Sequence, residues 1–328
     1  MRRREFITLL GGTAATWPFA VRAQQNNHRI GVIIGYAESD PETRARLEAF
    51  RRGLAKRGWS EDHNIHIDYR FAAGDAAQIS ALAQEMIALK PEVILAHTTP
   101  VAATLQKSTH DIPIVFVNVS DPIGSGFVKS LARPGANLTG LLHYEPGIVG
   151  KWLAMIKEVA PNATRVCLLG NPETTPFNYF LRAAQNATRS LAFEVVPCQT
   201  ASSTADVEQV LNSFGATTNG GLVVLPDSTT VLHRDLIVTL AAKHRLPAVY
   251  PFGLFVGAGG LMSYGTDQVD MFRLAAYYVD RILRGDKPAD LPVQAPTKFE
   301  TAINAKAARA MGLTVPAGLL VAADELIE

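Results

Sequence analysis

Three short stretches carry side chains that could do chemistry. In the first, Ser120-Asp121-Pro122 breaks an apolar run from Ile114 to Val119 and leads into Gly124-Ser125-Gly126. The second is His97-Thr98-Thr99-Pro100, and the third is Asp227-Ser228 after the run Leu222 to Leu225. Hydroxyls and free backbone N–H groups at a strand-to-helix junction suit an anion such as a carboxylate. A carboxylate at such a junction suits an ammonium group, and it also caps a helix. This is the chemistry of holding a small molecule.

Patterns for converting one fail. A dinucleotide loop needs a third glycine at 129, where Lys129 stands. No G-x-x-x-x-G-K-S/T occurs. Ser263 lies in GGLMSYG, but Leu261 two residues before it breaks the nucleophile-elbow pattern. His63 and His66 have no carboxylate or cysteine cluster beside them, so they read as solvated surface residues and not as metal ligands. Nothing assembles a nucleophile, a base and an orienting group. No catalytic residue, metal or cofactor is expected.

These stretches must be positioned by regular elements, and the hydrophobic pattern supplies them. Apolar β-rich runs at 29–36, 65–72, 93–98 and 112–119 alternate with helical segments. Asp40-Pro41 opens the first helix, Leu47, Phe50 and Leu54 give it one apolar face, and Gly58 ends it. Gly74-Asp75 opens the second, with Ile79, Leu82, Met86 and Leu89 facing inward. The pattern restarts with strands at 165–171, 193–199, 221–227 and 246–252 and helices near 175–190, 204–213 and 229–244. An amphipathic segment at 267–284, ended by Gly285, precedes a strand-like piece at 298–304 and a short helix. Alternation of this kind means βαβ units and parallel sheets. The fold class is therefore α/β, with two Rossmann-like lobes. No floppy linker divides them, which suggests a hinge of several crossing strands.

Ligands of open parallel sheets bind beyond the carboxyl ends of the strands. Tyr36, Thr98, Thr99, Ser120, Asp121, Asn171, Asp227 and Phe252 all stand at such ends, and lobes that face one another would gather them into one cleft.

At 328 residues two domains are the natural division. The first 23 residues carry Arg2, Arg3, Arg4 and Arg22 against Glu5, leaving a net charge of −2 on the remainder of a chain whose total is +1. A near-neutral body gives no electrostatic case for nucleic acid or an anionic membrane surface. Residues 1–23 have the basic start, short apolar centre and small-residue end of an export signal, with Arg3-Arg4-Glu5-Phe6-Ile7 similar to a twin-arginine motif and cleavage placed after Ala23. Cys167 and Cys198 read as two buried free thiols, because one looks early in its strand and the other late, although an exported protein could pair them.

The segments 112–141 and 246–313, with their S-D-P-x-G-x-G, A-R-P-G-x-N-x-T-G, G-L-M-S-Y-G and P-T-K-F-E elements, complete a pattern. Over residues 28–328 the chain resembles the ABC-transporter substrate-binding proteins of the tryptophan/tyrosine type. The resemblance implies a periplasmic-binding-protein type I fold, with residues 28–141 plus 265–297 as one lobe and 142–264 plus 298–328 as the other. It implies a monomeric periplasmic receptor that delivers one small molecule to a membrane permease driven by a separate ATPase. An aromatic or apolar amino acid, or a small aromatic carboxylate, is the implied ligand. A sensory receptor, or an enzyme on the same scaffold, is the alternative.

On that reading Thr98, Thr99 and Ser120 cradle a carboxylate. Asp121 either holds an ammonium group or caps a helix starting at Pro122, and Asp227 is the other candidate for the ammonium. Tyr36, Phe252 and Tyr264, with Phe177 and Tyr179, cover an apolar ligand body, and Asn171 and Asn178 supply amide contacts.

Overall fold

A computed structural model describes residues 27–61 and 63–328. The export signal expected at 1–23 lies outside the described residues.

The first half alternates strictly: β1 (His28–Ile34), α1 (Pro41–Ala55), β2 (Ile65–Phe71), α2 (Ala76–Ala88), β3 (Val93–His97), α3 (Thr99–Ser108), β4 (Ile114–Val119) and β5 (Leu138–Leu142). The second half continues with α4 (Ile148–Val159), β6 (Arg165–Gly170), α5 (Phe177–Leu191), β7 (Glu194–Gln199), α6 (Thr204–Gly215), β8 (Gly220–Val224), α7 (Ser228–Leu232), α8 (Arg234–Lys243), β9 (Ala248–Tyr250), α9 (Gly253–Gly257) and β10 (Met262–Thr266). It ends with α10 (Gln268–Leu283), β11 (Phe299–Asn304), α11 (Ala305–Met311), α12 (Ala317–Val321) and β12 (Glu325–Ile327). Asp40 and Asp75 cap α1 and α2 by accepting from the backbone N–H groups of Glu42 and Ala77. The single helix expected at 229–244 is two, α7 and α8, parted at His233.

The strands form two sheets, ordered β2-β1-β3-β4-β5 and β12-β11-β10-β9-β8-β6-β7. Among the described strands every pairing is parallel except β10 with β11, so the second sheet is not purely parallel as expected. β11 returns after a crossing and runs against its neighbour. Both sheets are buried on two faces: every residue of β3, β4, β5 and β8 is buried. The chain passes between the sheets three times, from β5 to α4, from β10 to α10, and from Gln294, which bridges to Leu141 at the edge of the first sheet, to β11. α10 packs against α1 closely enough that a Cβ on Gly53 would lie 2.7 Å from that of Ala276.

Cys167 and Cys198 form a disulfide with Cα atoms 5.6 Å apart, which corrects the expectation of free thiols. The register explains it. Cys167 lies opposite Val196 and Cys198 opposite Leu169, so the two are diagonal by two residues and share one face of the sheet.

β4 holds an irregularity that matters below. Its pairing with β5 advances from Phe116 opposite Gly140 to Val119 opposite Leu142, so β4 carries one extra residue there. Asn118 in this bulge has φ 58°. Bulges re-aim a side chain, and here the aim is out of the sheet's regular alternation.

Candidate functional site

Strand ends of the two sheets face each other. Arg234 of α8 pairs with Asp40, the cap of α1, at 3.6 Å. A Cβ on Gly74, after β2, would lie 3.6 Å from Leu232 of α7. The Asp227 carboxylate raises the Tyr36 phenol, and Asp121 raises that of Tyr179, though burial is the larger cause for both. The lobes are thus closed on one another.

Strain collects on the first lobe's side of this cleft. Among the described residues eight other than glycine have positive φ, and of these Thr98 (85°), Asn118 (58°) and Asp121 (49°) stand at the ends of β3 and β4. For a β-branched threonine this costs energy and marks a site held by its surroundings.

The expected residues divide. Thr98 is 7% exposed, and its hydroxyl has no partner. It stands at the N-cap of α3 without making a side-chain cap. A Cβ on Gly35 would come within 2.7 Å of this hydroxyl, so glycine leaves it room. Thr99 Oγ1 accepts from the backbone N–H of Ser120 at 3.3 Å. Asp121 caps no helix: residues 122–126 are turns, and its carboxylate accepts from Gly124 N–H at 2.9 Å.

In the second lobe Asn171 and Asp227 form one buried unit. Asp227 Oδ2 accepts from Asn171 N–H at 2.9 Å, and Oδ1 accepts from Thr230 N–H at 2.9 Å and Thr174 Oγ1 at 3.2 Å. Asn171 Nδ2 donates to Thr229 Oγ1 at 3.0 Å and to Ser202 Oγ at 3.1 Å. Burial pushes the Asp227 carboxyl up to about 6 in spite of these donors. Its first duty is to cap α7 and tie β6 to β8.

Phe177 is buried in the second lobe's core, and Tyr179 donates to the Tyr144 carbonyl at 3.1 Å. Two expected residues are not gathered here. Asn178 is exposed in the first turn of α5. Tyr264 stacks on Phe299 at 5.5 Å beneath Lys151, in contact with the second lobe's core.

Sequence reasoning missed Arg46, Thr43, Asn118, His143 and Gln268, all buried polar residues. Arg46 of α1 is 2% exposed. Its Nη2 donates to Glu42 Oε2 at 2.6 Å, its guanidinium lies 5.5 Å from the centre of the Tyr36 ring, and its Nε has no partner. Thr43, one turn away, has an unpartnered hydroxyl. Tyr36 meets the His97 ring edge-on at 4.7 Å. His97 Nδ1 lies 3.4 Å from the backbone N–H of Gly35, and its Nε2 lies 3.1 Å from Asn118 Nδ2. Asn118 is 4% exposed, and its Oδ1 has no partner. Beyond it come Gln268 and then His143, whose ring stacks on Phe252 at 5.4 Å. Burial, then the Arg46 charge, lowers both histidines, His143 to about 3, so both rings are neutral. The signal for Arg46 was its spacing: Thr43, Arg46, Phe50 and Gly53 repeat at helical intervals on the buried face. For Asn118 it was a lone amide inside an apolar run.

Beside the crossing segments lies a cavity of about 590 Å³, walled by Glu42, Arg46, Phe252, Thr266, Gln268 and Glu300 among others. Arg46 and Phe252 join it to the strand-end residues. Of five buried side-chain atoms lacking a partner among the described residues, four belong to Thr43, Arg46, Thr98 and Asn118. Such atoms are expensive to bury alone; of the four residues Arg46 lines the cavity itself.

A family model described as ABC transporter substrate binding protein matches residues 32–327. A tyrosine-binding protein of Clostridioides difficile is 25% identical over 290 residues, covering 88% of this chain and 82% of its own length. Among solved structures, an ABC domain in complex with L-Trp from Streptococcus pneumonia superposes with TM-score 0.85 at 24% identity, covering 92% of this chain and 100% of that one. A conserved domain protein from Vibrio cholerae gives TM-score 0.85 at 27% identity, over 92% of this chain and 99% of its own.

Proposed function

We propose, from the premise that this chain belongs to the ABC transporter substrate-binding protein family, that it captures an aromatic or apolar amino acid, or a small aromatic carboxylate, between its lobes and delivers it to the permease of an importer. The observation that carries the reading is the group of four unpartnered polar atoms at the cleft. Arg46 Nε and the hydroxyls of Thr43 and Thr98 are donors fit for a carboxylate. Asn118 Oδ1 and the free acceptor capacity of Asp227 suit an ammonium group. Tyr36 and Phe252 offer ring faces and edges to an apolar body. The tyrosine named for one relative and the L-Trp bound by another agree with this chemistry.

Capture works by population shift. The closed form buries donors that only a ligand satisfies, so the empty protein is biased open and the loaded one closed. Residues 28–141 with 265–297 move against 142–264 with 298–328. Delivery to a permease places the mature protein outside the cytoplasmic membrane, in keeping with the signal read in residues 1–23.

The test is a thermal-shift screen of residues 24–328 against amino acids, aromatic carboxylates, nucleosides and sugars. A ligand at 100 times its dissociation constant adds about 2.7 kcal/mol of stability. A response confined to aromatic amino acids or carboxylates is expected. A response to sugars or nucleosides alone would overturn the ligand class.

A further inference from the structure

A buried amide chain runs from β4 through the first residue of α10 to the residue past β5, between the cleft and the crossing segments. It begins at Asn118, whose Oδ1 is buried without a partner. Asn118 Nδ2 donates to Gln268 Oε1. Gln268 is the first residue of α10, immediately past the crossing that leaves β10. Its Nε2 donates to Thr266 Oγ1 at 2.6 Å and lies 3.3 Å from Nε2 of His143, the first residue past β5. One side chain thus touches two of the three crossings. The third touches the same turn: Asp267 N–H donates to the Lys298 carbonyl at 3.2 Å.

We infer that Gln268 is a positioning residue that couples ligand at Asn118 to the angle between the lobes. The inference rests on the receptor reading above. Lobe rotation must change the backbone of the crossings, and Gln268 is bonded to two of them. Asn118 is held in a bulge at left-handed φ, so its amide has little freedom except about its own side-chain bonds. A ligand that engages the free atom of Asn118 fixes that amide, and the amide fixes Gln268. Without ligand the closed arrangement leaves that atom unsatisfied, while opening admits water to it. The coupling therefore has a two-state element and a differential contact at each end.

The experiment uses residues 24–328 with spin labels on Lys107→Cys and Glu208→Cys, exposed positions of α3 and α6 on opposite lobes, and reads the distance distribution with and without L-tyrosine or L-tryptophan. Gln268→Met keeps length and removes the hydrogen bonds. It should broaden the ligand-free distribution and weaken binding about tenfold. Asn118→Gly, which tolerates positive φ, should weaken binding too, and the double variant should be no weaker than Asn118→Gly alone. Thr98→Val, outside the chain, should weaken binding and leave the ligand-free distribution alone. A Gln268→Met protein with the wild-type distribution would overturn the coupling, as would additive losses in the double variant. Those outcomes stand apart from failure of the receptor reading, which would show as binding of neither amino acid by the wild type. Should neither amino acid bind, the ligand-free distribution still decides the role of Gln268.

Discussion

At the scale of single residues, the cleft is defined by groups that the protein itself does not satisfy. Thr98 is the clearest. Its hydroxyl is buried and idle, so Thr98→Val, equal in shape, should keep or raise the unfolding temperature of the empty protein while weakening ligand binding about tenfold, roughly 1.4 kcal/mol. A drop in both, by calorimetry and thermal melts, would make the hydroxyl structural. Asp227 gives a prediction with a pH sign. Its folded-state value is raised from 3.8 to about 6, so the folded state binds the proton more tightly and the benefit is present at low pH. That benefit is lost as pH rises from about 4 through 6. Between pH 4 and 7 the wild type should lose about 2–3 kcal/mol relative to Asp227→Asn in denaturant titrations. His143 runs the other way: lowered to about 3, it supports the fold above about 6.5 and ceases to as pH falls toward 3. Comparing with Asp227→Asn removes this second contribution.

At the scale of elements, close backbone approach limits the crossings. A Cβ on Gly265, in β10, would lie 1.9 Å from the Pro251 carbonyl oxygen and 2.6 Å from the Tyr144 hydroxyl, which itself donates to that carbonyl at 2.7 Å. Gly265→Ala should destabilise by more than 2 kcal/mol, and an unchanged midpoint in denaturant would show that the crossing can yield. The disulfide closes a separation of 31 residues between β6 and β7. Cys167→Ser with Cys198→Ser should cost about 3–4 kcal/mol, and alkylation of the denatured, unreduced protein should label neither cysteine. The strands at 29–36 and 93–98 were legible because buried parallel strands are short continuous apolar runs, and the edge strand at 65–72 by its alternation of apolar and polar residues. β5 and β10 were not, since LTGLL and MSYGT mix glycine, serine and threonine and draw their burial from neighbours far along the chain. The cysteine pairing was hidden for a related reason. Register across a parallel pair depends on the crossover, and a shift of two residues decides whether two thiols meet.

At the scale of the whole molecule, two sheets are joined by three crossings, and on the proposed reading the cleft chemistry acts only when the lobes close. The strand-end rule located Thr98, Ser120, Asn171 and Asp227, because position beyond a parallel strand is a property of topology. It could not tell that Asp121 and Asp227 are occupied by the protein's own N–H groups, nor that Tyr264 faces away. Arg46 stayed unread because a charged residue on a helix is taken as solvated until the packing of α1 on the crossing turn is known. The measurement that tests the central claim most directly is titration calorimetry of residues 24–328 with L-tyrosine and L-tryptophan, in the wild type and in Arg46→Lys. Lysine keeps the charge and loses the planar fork and the Nε donor. Binding of at least one of the two by the wild type, weakened tenfold or more in Arg46→Lys, is the expected result. Equal affinity in both proteins would contradict the placement of the ligand's carboxylate at this cleft.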